Sequence, residues 1–368
     1  MFERRLYFHI DWLLLGAILL ITGIGIAMIY STTYVTVAGG GHAGPQVRTQ
    51  VYAFCIGLVA LGVFLWLDYR LLAEHSLLLY VGLCALLLFV LLRGSTQMGA
   101  QRWIPIGQFN LQPSEFARVV LSLILAMYFG ENRRGATNPS DLMIGGLFMT
   151  LPLLLIARQP DLGTAVTLVP VFFGVAYLAG LRMRLLGMIA LVAILLAPLA
   201  WSFALKDYQK ARITTFLDPE QDPRGEGYQQ IQARITVGSG GLTGKGFRQG
   251  TQGQYKFLPV AHNDFIFSVL AEEKGYLGVL SLLALYLFVI LRSLQAARLA
   301  KDRLGAYLVG GIIAGFSFQV IYNIAMSAGL APVKGITLPL MSYGGSSLIA
   351  ALASFGLIIN VRMRRFTN

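Results

Sequence analysis

Apolar residues run along this chain in blocks of about 20, each closed by a short polar or basic stretch. That length is what an α-helix needs to cross the hydrocarbon core of a bilayer. Ten such segments are expected, near 12–30, 51–67, 77–92, 114–130, 141–157, 162–180, 185–205, 265–291, 305–328 and 336–361. No water in the bilayer core can satisfy a free backbone, so each has to be helical. The pattern predicts an all-α polytopic membrane protein of about ten transmembrane helices, a single integral membrane domain over residues 1–368. The first block, Trp12–Tyr30, is longer than a signal h-region and no small-residue cleavage site follows it, so it reads as the first span.

One polar segment breaks the rhythm. Residues 206–263, between the seventh and eighth spans, form a loop of about 58 residues, far beyond an ordinary connection. Its sequence is not low-complexity. Gly238–Gly246 is glycine-rich, but an amphipathic helix is expected over Tyr228–Val237, and the loop reads as ordered.

Composition agrees with the pattern. Charged residues make up 12% of the chain, against roughly 25% in a soluble domain. The net charge of +12 raises nucleic acid as a partner, and the positions of the charges argue against it. Most lie at the ends of apolar blocks, and no basic stretch is interleaved with aromatics as a strand-binding groove requires. With the N-terminus inside, the cytoplasmic segments hold 14 Lys and Arg, including Arg4, Arg5, Arg133, Arg134, Arg292 and Arg362. The short outer loops hold 5: Arg48, Arg93, Arg102, Arg158 and Lys334. The long loop, with Lys206, Arg224 and Lys256 among its cations, is exempt from this rule. The bias puts the loop outside and, with an even span count, both termini in the cytoplasm. The two cysteines, Cys55 and Cys84, lie in apolar segments and build no disulfide framework or metal site.

Four clusters at the outer face break the apolar pattern. In Gly99–Arg118, Pro113 and Ser114 look like a helix start with Ser114 as its cap, and Glu115 and Arg118 share a helix face three residues apart. They read either as a structural ion pair or as a substrate contact. In Arg158–Thr164, Asp161 is either a helix cap or a site carboxylate, and Arg158 has the planar geometry that grips phosphate. At the loop exit, Asp264 sits where polar sequence meets apolar sequence. It reads as the cap of the following helix or as a partly desolvated general base, oriented by His262 and Asn263. Three adjacent charges, Glu272, Glu273 and Lys274, are out of place in lipid. Asp264–Lys274 is therefore expected as a separate surface or re-entrant helix, with the true span starting near Tyr276. In Pro332–Ser347, two prolines, three glycines and three serines, Ser342 among them, favour a broken helix that lines a cavity or a tightly packed kink.

No metal signature, P-loop or dinucleotide fingerprint is present. A divalent cation, Mg2+ or Mn2+, brought by a substrate diphosphate stays open. Together the clusters describe an outward-facing cavity with one well-placed carboxylate, Asp264. It is lined by Arg102, Glu115, Arg118 and Arg158, with Lys245 on the loop beside it. Such a cavity suits a lipid-linked anionic substrate whose diphosphate leaves by charge stabilisation. A transporter that flips the same lipid is the alternative, though no inverted repeat is visible.

The stretches GAQRWI, QPSEFAR, QPDLGT, GYQQIQARITVGSGGLTGKGFRQGTQ, LPVAHNDFIFSVLAEEKGYLG and LPLMSYGGSS resemble, in order, the SEDS family of shape, elongation, division and sporulation proteins. The short tails, and Asp11-Trp12 opening the first span, are more similar to its elongation branch than to its division branch. The resemblance implies a peptidoglycan glycosyltransferase in a bacterial plasma (inner) membrane that polymerises lipid II into β-1,4-linked glycan and displaces undecaprenyl diphosphate with inversion. It implies that Asp264 is the essential loop aspartate. It also implies a class B penicillin-binding protein and the elongation machinery as partners. Two positions depart from the family pattern: Asn263 where Thr is frequent, and Arg118 where Lys is frequent.

Overall fold

The computed structural model describes residues 9–37, 40–97, 100–106, 109–131, 138–204, 207–222, 225–255 and 257–366. Arg4, Arg5, Arg133, Arg134, Lys206, Arg224 and Lys256 lie outside the described residues.

The chain opens with α1 (Trp12–Thr33), a small hairpin β1–β2 (Val35–Val37, Gly40–His42), α2 (Pro45–Trp66), the short α3 (Tyr69–Glu74) and α4 (Ser76–Arg93). A three-stranded antiparallel sheet follows, β3 (Ser95–Gln97), β4 (Ala100–Ile106) and β5 (Phe109–Leu111). A 3-10 turn, Pro113–Phe116, leads into α5 (Ala117–Glu131), then α6 (Pro139–Arg158), α7 (Leu162–Leu178) and α8 (Met183–Leu199). The long loop folds as α9 (Asp207–Leu217), α10 (Glu226–Gly238) and α11 (Thr251–Gln254). The last helices are α12 (Ile266–Arg298), α13 (Arg303–Ser327) and α14 (Gly345–Met363).

Eight of these helices are long and apolar enough to cross a bilayer, and α7 and α8 are shorter apolar helices of 17 residues each. Many large apolar side chains point outward from them, Val59, Leu78, Leu92 and Met143 among them. Water would penalise such a surface, and lipid does not. The core is built around α14, whose apolar window is buried along its whole length. It packs on α2 at very close range: a Cβ on Gly356 would stand 2.7 Å from the Leu61 carbonyl oxygen. At one end of the bundle Asp11 pairs with Arg292 (2.9 Å) and Arg362, Asp302 with Arg70 (2.9 Å), and Asp68 with Arg364 (3.0 Å). These arginines belong to the set assigned to the cytoplasmic side.

Four expectations are refined. The second span begins at Pro45, so Arg48 and Gln50 lie in its first turns. Ser114 accepts a bond from the Gln112 side chain instead of capping α5. The expected helix in the loop runs Glu226–Gly238. The tenth segment is helical only from Gly345. The apolar run before it is buried but irregular, because hydropathy records burial and not helix.

The eighth segment breaks as its charges predict. Gly275 has φ +64°, a conformation that side chains avoid, and it divides α12 into Ile266–Lys274 and Tyr276–Arg298. The glycine-rich run of the loop closes around this break. Lys245 N and Gly246 N donate to the carbonyls of Glu272 and Glu273, while Tyr276 N and Leu277 N donate to those of Gly241 and Leu242. A Cβ on Gly275 would overlap the backbone of Gly244. The glycines thus allow two backbones to lie against each other, and the loop is tied to the mouth of the bundle.

Candidate active site

Asp264 ends a tight turn. Asn263 N and Asp264 N both donate to the Val260 carbonyl, at 3.0 and 3.3 Å. Leu258, Ala261 and Phe265 anchor the turn in a small core with Ala233 of α10, Val269 of α12 and Met326 of α13. Hydrophobic burial therefore fixes the backbone from which the carboxylate projects. Phe265 occupies the N-cap position of α12, with no side-chain cap bond. Asp264 Oδ1 is shielded from solvent and accepts no hydrogen bond among the described residues. The capping reading of Asp264 is not what the fold uses. Burial raises its pKa from 3.8 to about 6, the positive field of Arg102 opposing and the negative field of Asp161 adding.

Asp161 does cap. Its Oδ1 accepts from Thr164 N at 3.2 Å, at the start of α7. Its Oδ2 accepts from Gln112 Nε2 at 2.9 Å. Arg102, on β4, lies 3.8 Å from the same carboxylate and donates to the carbonyls of Gln159 (3.2 Å) and Pro160. Gln112 N in turn donates to Ser346 Oγ at 2.9 Å, tying β5 to the start of α14. Further into the bundle, Arg118 Nη2 meets Glu115 Oε2 at 2.6 Å. Arg118 Nη1 is buried without a partner among the described residues, and a cavity of about 30 Å³ lies beside it, with Gln319, Ser347 and Ser354 in its wall.

The wall facing Asp264 is the irregular chain between α13 and α14. Its buried backbone needs partners, and side chains from three helices supply them. Tyr322 OH donates to Pro332 O (2.9 Å), Asn323 Nδ2 to Ile336 O (2.7 Å) and Tyr286 OH to Pro339 O (2.7 Å). Gln50 of α2 clasps the next turn, donating to Ser342 O and accepting from Gly344 N, both at 3.1 Å. Ser342 Oγ accepts from Leu338 N at 2.8 Å, so the hydroxyl holds its own turn. Tyr343 N donates to His262 O at 3.0 Å, and the two rings meet edge to face at 5.5 Å. This joins the two loops, and burial lowers the His262 pKa.

Asp264, His262, Arg102, Asp161 and Ser342 thus converge on one mouth of the bundle, with Glu115 and Arg118 below it. Two expected site residues lie elsewhere. Lys245 is spent on Glu272 (2.7 Å), Ser239 Oγ (3.1 Å) and Thr251 Oγ1 (3.0 Å), where it staples the loop. Arg158 is exposed at the end of α6. Among the described residues no cluster of three or more His, Cys, Asp or Glu is placed to hold a metal. Sequence reasoning missed Gln50, Gln112 and Asn323. Their signal was an amide set into or beside apolar sequence, which has to find a partner inside the fold.

Residues 11–366 match the family model of the FtsW, RodA and SpoVE cell cycle proteins. The chain belongs to this family. It is 39% identical over 341 residues to the peptidoglycan glycosyltransferase MrdB of Escherichia coli K12, covering 92% of this chain and 91% of that one. It is 37% identical over 364 residues to a probable peptidoglycan glycosyltransferase FtsW of Geobacter sp. strain M18, covering 96% and 97%. Among solved structures it superposes on a chain from a peptidoglycan synthase complex that coordinates polymerization and crosslinking, with TM-score 0.82, 31% identity and coverage of 98% and 99%. It also superposes on the rod shape determining protein RodA of Thermus thermophilus, with TM-score 0.71, 29% identity and 98% coverage of both. An FtsW/RodA/SpoVE chain is a multi-pass membrane protein, which agrees with the eight helices among the described residues that are long and apolar enough to cross a bilayer.

Proposed function

We propose that this chain is the peptidoglycan glycosyltransferase of cell elongation, polymerising lipid II at the mouth where Asp264 lies. The observation that carries the residue assignment is the state of Asp264. It is a carboxylate held in a fixed turn, shielded from water at Oδ1, free of any capping duty and raised to about 6. A carboxylate of that strength is largely ionised at neutral pH and holds a proton more tightly than an ordinary carboxylate. In the reaction, Asp264 accepts the proton of the acceptor sugar 4-hydroxyl as that oxygen bonds to C1 of the donor sugar. The C1–O bond to the lipid diphosphate breaks with inversion, and its electron pair leaves with the diphosphate. Arg102 and Arg118 supply the positive charge that stabilises the departing diphosphate. A divalent cation, where one is required, arrives with the diphosphate.

The active face lies outside the plasma membrane and both termini inside. The peptidoglycan synthase complex among the structural neighbours supports a penicillin-binding protein as the partner. The test uses purified protein, alone and with that partner, incubated with lipid II and resolved on a gel. Polymer from the wild type and none from Asp264→Asn is the expected result. Polymer from both removes Asp264 from the mechanism, and one-way transfer of lipid II without polymer favours a flippase.

A further inference from the structure

Asn323 has no charge and no exposure, and it touches the two segments that build the mouth. It sits near the outer end of α13. One amide nitrogen donates to the carbonyl oxygen of Asp264 at 2.9 Å and to that of Ile336 at 2.7 Å. Two carbonyl acceptors fix the orientation of the amide, since only its nitrogen can serve both. Its Oδ1 is buried and takes no hydrogen bond among the described residues, so the side chain is held by its donors alone. An apolar residue of similar size would pack in the same place and leave Asp264 and Ile336 with unpaired buried carbonyls.

We propose that Asn323 is the positioning residue of Asp264: by holding the Asp264 and Ile336 carbonyls together it fixes the carboxylate against the irregular wall. The Asp264 turn has anchors on other sides, in Leu258 and Phe265. Those apolar contacts set its depth but not its direction, whereas a hydrogen bond to the carbonyl of the reacting residue is directional. Gly335, adjacent to Ile336, is the residue that faces Asp264 Oδ2. Fixing Ile336 therefore also fixes the surface behind the carboxylate. A misplacement of about 1 Å at a reacting group costs on the order of a hundredfold in rate. The inference rests on Asp264 as the base, and the charged groups whose fields reach it are Arg102 and Asp161.

The experiment compares wild type, Asn323→Leu and Asn323→Asp, all in complex with the penicillin-binding partner. Asn323→Asp keeps the shape of the side chain; buried against two carbonyl oxygens it takes up a proton and can donate to only one of them, so it serves where the leucine variant does not fold. Two readouts are taken: kcat and KM for lipid II, and the pH dependence of Asp264 modification by dicyclohexylcarbodiimide, followed by peptide mass spectrometry. This reagent attacks protonated carboxyl groups in apolar surroundings. Expected in Asn323→Leu are a kcat at least tenfold lower with KM within twofold, and a labelling midpoint that falls from about 6 toward the ordinary carboxyl range as the turn loosens. A purely structural role lowers the yield of folded protein and leaves both the midpoint and the kcat of the folded fraction unchanged, and that result overturns the proposal. The labelling does not depend on turnover. If Asp264→Asn polymerises normally while Asn323→Leu still moves the midpoint, the catalytic reading fails and the hold on Asp264 stands.

Discussion

The Arg102 guanidinium lies 3.8 Å from the Asp161 carboxylate and donates its other bonds to the carbonyls of Gln159 and Pro160. It is therefore part of the turn that starts α7 and not a free counter-ion for Asp264. Its charge is shared between two carboxylates, which leaves burial as the dominant influence on Asp264. That balance gives the site its expected pH response.

A general base works only when ionised, so kcat for polymerisation falls as pH drops through about 6. Arg102→Gln removes the positive field that stabilises ionised Asp264, and the midpoint moves to higher pH. Asp161→Asn removes the negative field, and the midpoint moves to lower pH, while asparagine still serves as a helix cap. Profiles of kcat against pH for the three proteins check this. Shifts of the same sign in both variants would exclude Asp264 as the titrating group.

The same burial costs stability. A carboxyl whose folded pKa is raised binds its proton more tightly folded than unfolded. The penalty is absent below pH 3.8, grows between 3.8 and about 6, and is complete above. Its ceiling is about 3 kcal/mol for a shift of that size. Asp264→Asn should therefore raise Tm at pH 7.5 by a few degrees and leave it unchanged at pH 4. Equal Tm differences at both pH values would mean that the gain comes from packing and not from charge.

Much of this organisation was legible in the residues. The helix break at Gly275 followed from three adjacent charges in an apolar run, because lipid does not accept them. Asp264 stood out as a carboxylate at a polar–apolar boundary, where such a group either caps or reacts, and the fold leaves the cap unused. The β3–β5 sheet was not, since its strands are short and interrupted by glycine and proline, leaving no period of two to read. The irregular chain before α14 was half legible: its prolines and glycines argued against a helix, but its hydropathy matched one. The partners of Gln50 and Asn323 were invisible because they are backbone carbonyls and amides brought from distant segments. Local patterns record which residue needs a partner, and only the tertiary fold says which partner it finds.

Lys245 gives a prediction about the loop. Glu272 is fully buried and gathers Lys245 Nζ (2.7 Å), Thr251 N (2.8 Å), Thr251 Oγ1 (3.0 Å) and Gln252 N (3.2 Å). Lys245→Met leaves the carboxylate with neutral donors only, at a cost of about 2 kcal/mol. The loop should then be cut faster in limited proteolysis between residues 238 and 256. Adding Glu272→Gln should restore most of the protection, because the amide needs no counter-charge. A double variant as labile as the single one would show that the loop depends on Lys245 for something other than this pair.

The Glu115–Arg118 pair admits two readings that a pair of variants separates. Both residues are buried and 2.6 Å apart. Arg118→Met leaves Glu115 ionised without its partner, which costs roughly 3–5 kcal/mol. Glu115→Gln with Arg118→Met removes both charges, so neither side chain is left as an unpaired buried ion. The double variant should therefore fold better than the single one, with a higher Tm and a monodisperse elution profile. Activity then decides between the readings. A structural ion pair predicts that the folded double variant polymerises near the wild-type rate. A substrate contact predicts a folded protein whose kcat is lower by at least a hundredfold, since the cation that would meet the diphosphate is gone. Arg118 Nη1, buried with no partner among the described residues, favours the second outcome, because a buried donor without a protein acceptor is open to a substrate oxygen.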